Sequence, residues 1–186
     1  MICARIVSSS LWKAASIVAL YVPYGSEVDL RALVALGERE GKRVAIPRCT
    51  SDAHMVFDEV RTGDLERLVP GRFAIPVAAV QHDIALDATT LVLVPCLGVA
   101  ASGHRIGSGR GFYDRALAKG ASRAATVAFS IQLSDLPVEV HDVATDAVVT
   151  EEGWLTASAQ TGDSAPSVAA TMSVADRDNA APDTTA

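Results

Sequence analysis

The chain has 186 residues, 49% of them hydrophobic, with a net charge of −6 and a pI near 5.1. That size and apolar content suit one α/β domain with a core of its own, while the acidic balance excludes nucleic acid as the main partner because no basic excess is left for phosphate-backbone contacts. Three cysteines, Cys3, Cys49 and Cys96, are odd in number and share no C-x-x-C spacing, so neither a disulfide framework nor a zinc site is indicated and a reducing, cytoplasmic setting is expected.

Residues 1–13 read as the end of a helix, with Ile6, Leu11 and Trp12 available for packing. Residues 17–22 form a buried-type strand. The stretch 14–22 could imitate a signal-peptide core, but the turn Pro23-Tyr24-Gly25 and the helix after it favour a strand. No apolar segment approaches the roughly 18 residues that would suggest a membrane span, and no membrane partner is expected. Ser26-Glu27-Val28-Asp29 matches the Ser-x-x-acid capping box, which predicts a helix starting there. Leu30, Leu33 and Val34 give that helix an apolar face, and Gly41 ends it. Residues 42–46 are the next strand, stopped by Pro47, which completes a right-handed parallel βαβ unit. Residues 55–60 suggest a further strand, 64–69 a short helical turn, and 70–76 a loop. Residues 91–94, short and β-branched, read as a strand buried on both faces and ended by Pro95. A helix starts at Phe112 and can close at Gly120, with Lys119 in its last turn. Residues 125–129 and 146–150 supply the last strands. The alternation indicates an α/β fold, a three-layer α/β/α sandwich with a mostly parallel sheet. After Leu155 no Leu, Ile or aromatic residue occurs, so residues 1–155 are read as the domain and 156–186 as a disordered tail.

The segment between Pro95 and the helix at Phe112 carries the chemistry. Gly103, Gly107, Gly109 and Gly111 are interleaved with Arg105 and Arg110. A strand, a glycine-rich basic loop and a helix N-terminus together suit an anion: glycines let backbone N–H groups approach a ligand, and the helix start adds partial positive charge. A P-loop is excluded because no lysine follows the glycines, and Gly107-Gly109-Gly111 is G-x-G-x-G rather than the dinucleotide G-x-G-x-x-G. A glycine-rich loop alone is equally compatible with a flexible surface turn. The arginines add planar donors suited to phosphate oxygens. Asp114, in the first helical turn, either holds Mg²⁺ shared with those phosphates or offsets the helix dipole.

The run GHRIGSGRGFYDR resembles the signature of the 5-formyltetrahydrofolate cyclo-ligase family (methenyltetrahydrofolate synthetases), roughly Gly-x-Arg-Leu-Gly-x-Gly-x-Gly-Tyr-Tyr-Asp-Arg after a strand ending in Val-Pro. The likeness runs from about residue 14 to 154. SIVALYVPYGSEVDLRAL is similar to the family's strand-turn-helix, and LPVEVHDVATDAVVTEEGW to its closing motif. The resemblance implies ATP- and Mg²⁺-dependent closure of 5-formyltetrahydrofolate to 5,10-methenyltetrahydrofolate. It places ATP on Arg105, Ile106, Gly107, Ser108, Gly109, Arg110, Gly111, Phe112 and Tyr113, with Arg110 and Tyr113 catalytic. Val22 and Glu27 would meet the folate, and Asp114 and Asp142 the metal. Without the resemblance, Glu27 would be first-turn charge in a capping box, His141-Asp142 a solvated loop pair, and Cys96 a packed small residue.

Some positions depart from the pattern. Ser108 stands where some members have arginine, and Ile75 where a glutamate commonly precedes proline. The family's N-terminal helix, with a Lys and an Arg that reach the nucleotide phosphates, is expected to be truncated here, since Arg5 and Lys13 lie too close to the first strand for those roles. The alternative reading is a truncated, non-catalytic folate- or nucleotide-binding relative; a sugar-phosphate isomerase or CoA-transferase-like enzyme is a more distant analogy. A monomer acting on small molecules is expected.

Overall fold

The computed structural model describes residues 1–118, 122–138 and 142–156. The expected helix closure at Lys119 and Gly120, His141, and the expected tail lie outside the described residues, except that Thr156 ends the last strand.

Two short helices, α1 (Ile2–Ser8) and α2 (Ser10–Ala14), lead into strand β1 (Ile17–Ala19). They are separated at Ser9, whose extended backbone breaks the first helix and whose hydroxyl accepts from the Trp12 amide to start the second. Helix α3 (Ala32–Arg39) connects β1 to β2 (Arg43–Cys49), and β3 (Met55–Val60) returns antiparallel. A small hairpin of β4 (Val69–Pro70) and β5 (Pro76–Val77) precedes β6 (Asp83–Ile84) and β7 (Thr90–Val94). A second hairpin, β8 (Gly98–Val99) and β9 (Arg105–Ile106), carries the glycine-rich loop into α4 (Phe112–Leu117). Strands β10 (Arg123–Val127), β11 (Ala147–Val149) and β12 (Trp154–Thr156) follow.

Eight of these strands form one sheet in the order β12-β11-β10-β7-β1-β2-β3-β6. The five from β11 to β2 are parallel, with antiparallel strands at both edges. A parallel strand covered on both faces is apolar throughout, which is why residues 91–94 carry no polar side chain. Their side chains nevertheless divide by alternation. Leu91 and Leu93 join Val18 and Leu20 in the core under α1–α3, together with Ile6, Trp12, Leu33 and Val34. Val92 and Val94 join Ile17 and Ala19 on the opposite face, with Leu117 of α4. Helices thus cover both sides, giving the expected three layers. At the antiparallel edge Arg48 donates from Nε to the fully buried Asp58 carboxylate at 2.5 Å and also reaches Asp83, pinning β2, β3 and β6 together.

Several boundaries differ from expectation: the strand expected at residues 17–22 ends at Ala19, the helical turn expected at 64–69 spans Thr62–Arg67, and the strand expected at 125–129 spans Arg123–Val127. The helix expected at residues 26–29 starts at Ala32. The acidic groups in that stretch close local turns instead of capping a helix: Glu27 accepts from the Tyr24 amide at 2.8 Å, and Asp29 accepts from the Arg31 amide and guanidinium. Such local side-chain bonds compete with helix formation. Pro47 does not stop β2, which runs to Cys49. The parallel pairing with β1 reaches only Ala45 while the antiparallel pairing with β3 continues to Cys49, so the missing N–H of Pro47 falls beyond the β1 ladder. The expected loop at 70–76 contains a tight turn in which Phe73 and Ala74 both adopt left-handed backbone, φ 57° and 58°. Among the described residues no helix is long and apolar enough to cross a membrane.

Candidate active site

The sheet itself indicates where a ligand belongs. From β1 the chain moves to β2 on one side, and the next central strand, β7, lies on the other side of β1, followed outward by β10 and β11. Connections therefore leave in opposite directions at β1 and β7, and in an open α/β sheet ligands occupy the crevice beyond the carboxyl ends of the strands at such a point. A cavity of about 550 Å³ lies there. Tyr21 and Val22 follow β1, Pro47 and Cys49 end β2, and Pro95 follows β7.

The residues assigned ligand or metal roles from the sequence line this cavity: Val22, Glu27, the run from Arg105 to Gly111, Phe112, Tyr113, Asp114 and Asp142; Gly103 and Cys96 are not among its lining residues. The glycine loop crosses it in a conformation that depends on glycine. Gly109 and Gly111 have φ of 75° and 60°, and a Cβ on Gly111 would lie 2.9 Å from the Arg115 guanidinium. Gly111 is the N-cap of α4, without a side-chain cap. That helix spans 6 residues, so its dipole is small, and charge on a ligand here would be met chiefly by arginines and loop amides.

The two arginines of the loop do different things. Arg105 is almost fully buried, with 4% of its side chain exposed. It donates to Asp114 Oδ1 at 2.9 Å and to the Val143 carbonyl at 2.7 Å. The Val143 amide also faces Asp114 Oδ1, at 3.4 Å, and Thr145 donates from its amide and its hydroxyl to the Gly103 carbonyl. These bonds tie the segment bearing Asp142 to the glycine loop. Arg110 instead lies with its guanidinium 3.8 Å from the centroid of the Phe73 ring. Its carbonyl accepts from Arg115 Nη2 at 2.6 Å, while Arg115 Nε donates to Ala53 at 2.7 Å.

The opposite wall is less charged. Glu27, half-buried, accepts from the Tyr24 amide, and burial raises its carboxyl above the usual range. Tyr113 is raised by burial and next by the Glu27 charge, so it remains a neutral phenol. Tyr21, also raised by burial, donates its hydroxyl to the Val28 carbonyl at 2.9 Å and fixes the turn that carries Glu27. Burial pushes the Cys96 thiol up to about 11, which keeps it protonated, and the residue is packed at 5% exposure. Arg5 is engaged elsewhere, donating to the Glu151 carbonyl at 3.2 Å.

Several residues at or beside the cavity escaped sequence reasoning. Tyr21 and Tyr24, though inside the strand-turn-helix segment, received no role there; with Cys49 and Met55 they are brought together only by the sheet. The usable signal was positional: residues just past the carboxyl end of a predicted parallel strand face the crevice. Phe73, in the hairpin, gave no signal of its own.

A profile of the 5-formyltetrahydrofolate cyclo-ligase family matches residues 1–151. The 5-formyltetrahydrofolate cyclo-ligase of Mycolicibacterium smegmatis is 33% identical over 147 residues, covering 75% of this chain and 76% of that protein. The 5,10-methenyltetrahydrofolate synthetase of Aquifex aeolicus superposes with a TM-score of 0.70 at 26% identity, over 90% of this chain and 84% of the other. The corresponding synthetase from Mycoplasma pneumoniae, 21% identical with a TM-score of 0.64 over 81% and 83% of the two chains, shares the fold.

Proposed function

The chain belongs to the 5-formyltetrahydrofolate cyclo-ligase family, and we propose that it closes 5-formyltetrahydrofolate to 5,10-methenyltetrahydrofolate with consumption of ATP in the presence of Mg²⁺. The observation that carries this reading is a single cavity in which a glycine loop with Arg110 faces a half-buried carboxylate, Glu27, and neutral aromatic hydroxyls. One end suits phosphates and the other a polar heterocycle.

The chemistry needs both ends together. A formyl oxygen on N5 is a poor leaving group, so it takes the γ-phosphoryl group of ATP; N10 then closes on the formyl carbon, and phosphate leaves with the former formyl oxygen, ADP being the other product. Arg110 and the amides of residues 107–111 stabilise charge developing on the transferring phosphoryl group. Arg105 acts differently, by fixing Asp114 and the 143–145 segment. Tyr113 contributes a neutral wall that orients the reacting groups, and Val22 and Glu27 hold the folate.

The donor set fits Mg²⁺. Among the described residues no group of three or more His, Cys, Asp or Glu could hold a metal, but Mg²⁺ in phosphoryl-transfer sites takes only one or two carboxylates, the substrate phosphates and water. Asp114 and Asp142 both line the cavity. The Arg105 and Val143 bonds fall on Oδ1 of Asp114; Asp114 and Asp142 are the carboxylates that would hold the cation, which would neutralise phosphate charge. The free cysteines Cys3, Cys49 and Cys96 suit a cytoplasmic setting.

Purified protein given 5-formyltetrahydrofolate, ATP and Mg²⁺ should generate the strongly absorbing methenyl product, and none when ATP is omitted. Binding of both ligands without product would instead identify a non-catalytic relative.

A further inference from the structure

The signature explains why Arg110 is present but not what keeps its side chain in place. Arg110 is on an exposed, glycine-flanked loop, and no carboxylate holds it among the ion pairs of the described residues. The aromatic ring of Phe73 is what meets its guanidinium, 3.8 Å from the centroid. This is face contact well inside cation–π range. Phe73 comes from the β4–β5 hairpin, distant in sequence, and is itself held: its ring packs against Phe112 at 5.9 Å, and the Arg72 guanidinium lies over it at 5.6 Å while pairing with Asp52 at 2.6 Å.

The hairpin is built to hold that ring there. Phe73 and Ala74 both adopt left-handed backbone, which is unfavourable for side-chain-bearing residues. Gly71 allows the tight closure, since a Cβ there would lie 2.6 Å from Val77 and 2.7 Å from the Ile75 carbonyl. Strain of this kind persists only where surrounding structure over-determines it. The hairpin's contribution to the cavity wall is Ile75 and Pro76, and Phe73 is not among the lining residues. Its ring therefore reaches the cavity through two lining residues, Arg110 in close face contact at 3.8 Å and Phe112 at 5.9 Å between centroids.

Resting on the proposed ATP-dependent function, we propose that Phe73 is a positioning residue that holds the Arg110 guanidinium by cation–π contact in the orientation that receives the nucleotide phosphates. Arg115 fixes the same residue through its carbonyl. Arg110 is thus gripped at both ends, and the hairpin decides whether the phosphate end of the cavity is preorganised.

Phe73→Leu removes the π face while keeping an apolar side chain. Cation–π contacts of this strength correspond to a nucleotide affinity loss of about three- to tenfold, read by calorimetry with ADP and Mg²⁺ and as a raised KM for ATP, with the KM for the folate unchanged. Phe73→Trp should retain affinity. Phenylalanine analogues with increasing ring fluorination at position 73 should lower it stepwise, a dependence that packing alone does not produce. In an Arg110→Ala background Phe73→Leu should have no further effect. A raised folate KM with unchanged ATP KM, additive losses in the double variant, or indifference to fluorination would overturn the proposal. NMR relaxation of the Arg110 Nε–H group separates this from the functional reading: loss of its order in Phe73→Leu supports the grip even if the wild-type protein bound no nucleotide, whereas unchanged order rejects it.

Discussion

The glycine loop and the β4–β5 hairpin meet at Arg110, and they were written into the chain in opposite ways. The loop is visible in the sequence: alternating glycines, two arginines and a following Asp, contiguous in the chain, are residue types suited to a phosphate. The hairpin carries no such mark, only an aromatic residue beside an alanine in backbone that glycine would adopt more readily. One region supplies charged groups, and the other supplies the surface that orients one of them. Substitutions on either side can show whether this division holds.

The largest effect is expected on the loop. Arg110→Ala should lower kcat/KM by about 100- to 1,000-fold, the usual loss when a preorganised donor to transition-state charge is removed. Near-normal ATP-dependent turnover in that variant would remove the loop arginine from the mechanism. Asp114→Ala comes next. It leaves Arg105, 4% exposed, without its carboxylate, and the cost to folding stability should be about 1–3 kcal/mol, below the full penalty for a broken buried pair because Asp114 remains partly open to solvent. Urea unfolding at neutral pH measures it, and an unchanged midpoint would show that the pair does not tie the loop to the Asp142 segment.

Glu27 is a subtler test. Its carboxyl is raised by burial, so the folded state holds that proton more tightly than the unfolded state does. The associated stability is fully present below the ordinary carboxylate value of about 4.3, and it is lost as pH rises through the folded-state value. Glu27→Gln should therefore flatten the decline of Tm with rising pH in that range while weakening folate binding. Parallel Tm curves for the two proteins would mean that Glu27 is not desolvated. The smallest effect belongs to the hairpin backbone. Ala74→Gly relieves a left-handed residue at the cost of unfolded-chain entropy, for a net gain of up to about 1 kcal/mol in thermal unfolding. A loss of stability would indicate that the alanine methyl is packed.

Much of the fold was legible because buried parallel strands leave uninterrupted apolar runs, as at residues 91–94, and because Leu33 and Val34 mark the buried face of α3, although Leu30, expected on the same face, precedes the helix. The helix start was misread where Glu27 and Asp29 satisfied nearby amides instead of opening a helix, a choice that sequence spacing does not reveal. Pro47 was misread because a proline ends a strand only when its missing N–H is needed by a neighbour. In the candidate site, the signature residues were visible as a contiguous pattern, whereas Tyr21, Cys49 and Met55 become neighbours only after the sheet is assembled. Arg105 lines the cavity, and its bonds to Asp114 and the Val143 carbonyl are what sequence spacing does not reveal.

In the proposed reaction one cavity uses ATP to convert the formyl oxygen into a leaving group. This conversion is tested most directly by following that oxygen. With ¹⁸O placed in the formyl group of 5-formyltetrahydrofolate, mass spectrometry of the released phosphate should find one labelled oxygen for each methenyl product formed. Unlabelled phosphate alongside that product would contradict the account, because ATP cleavage and ring closure would then proceed without phosphoryl transfer to the formyl group.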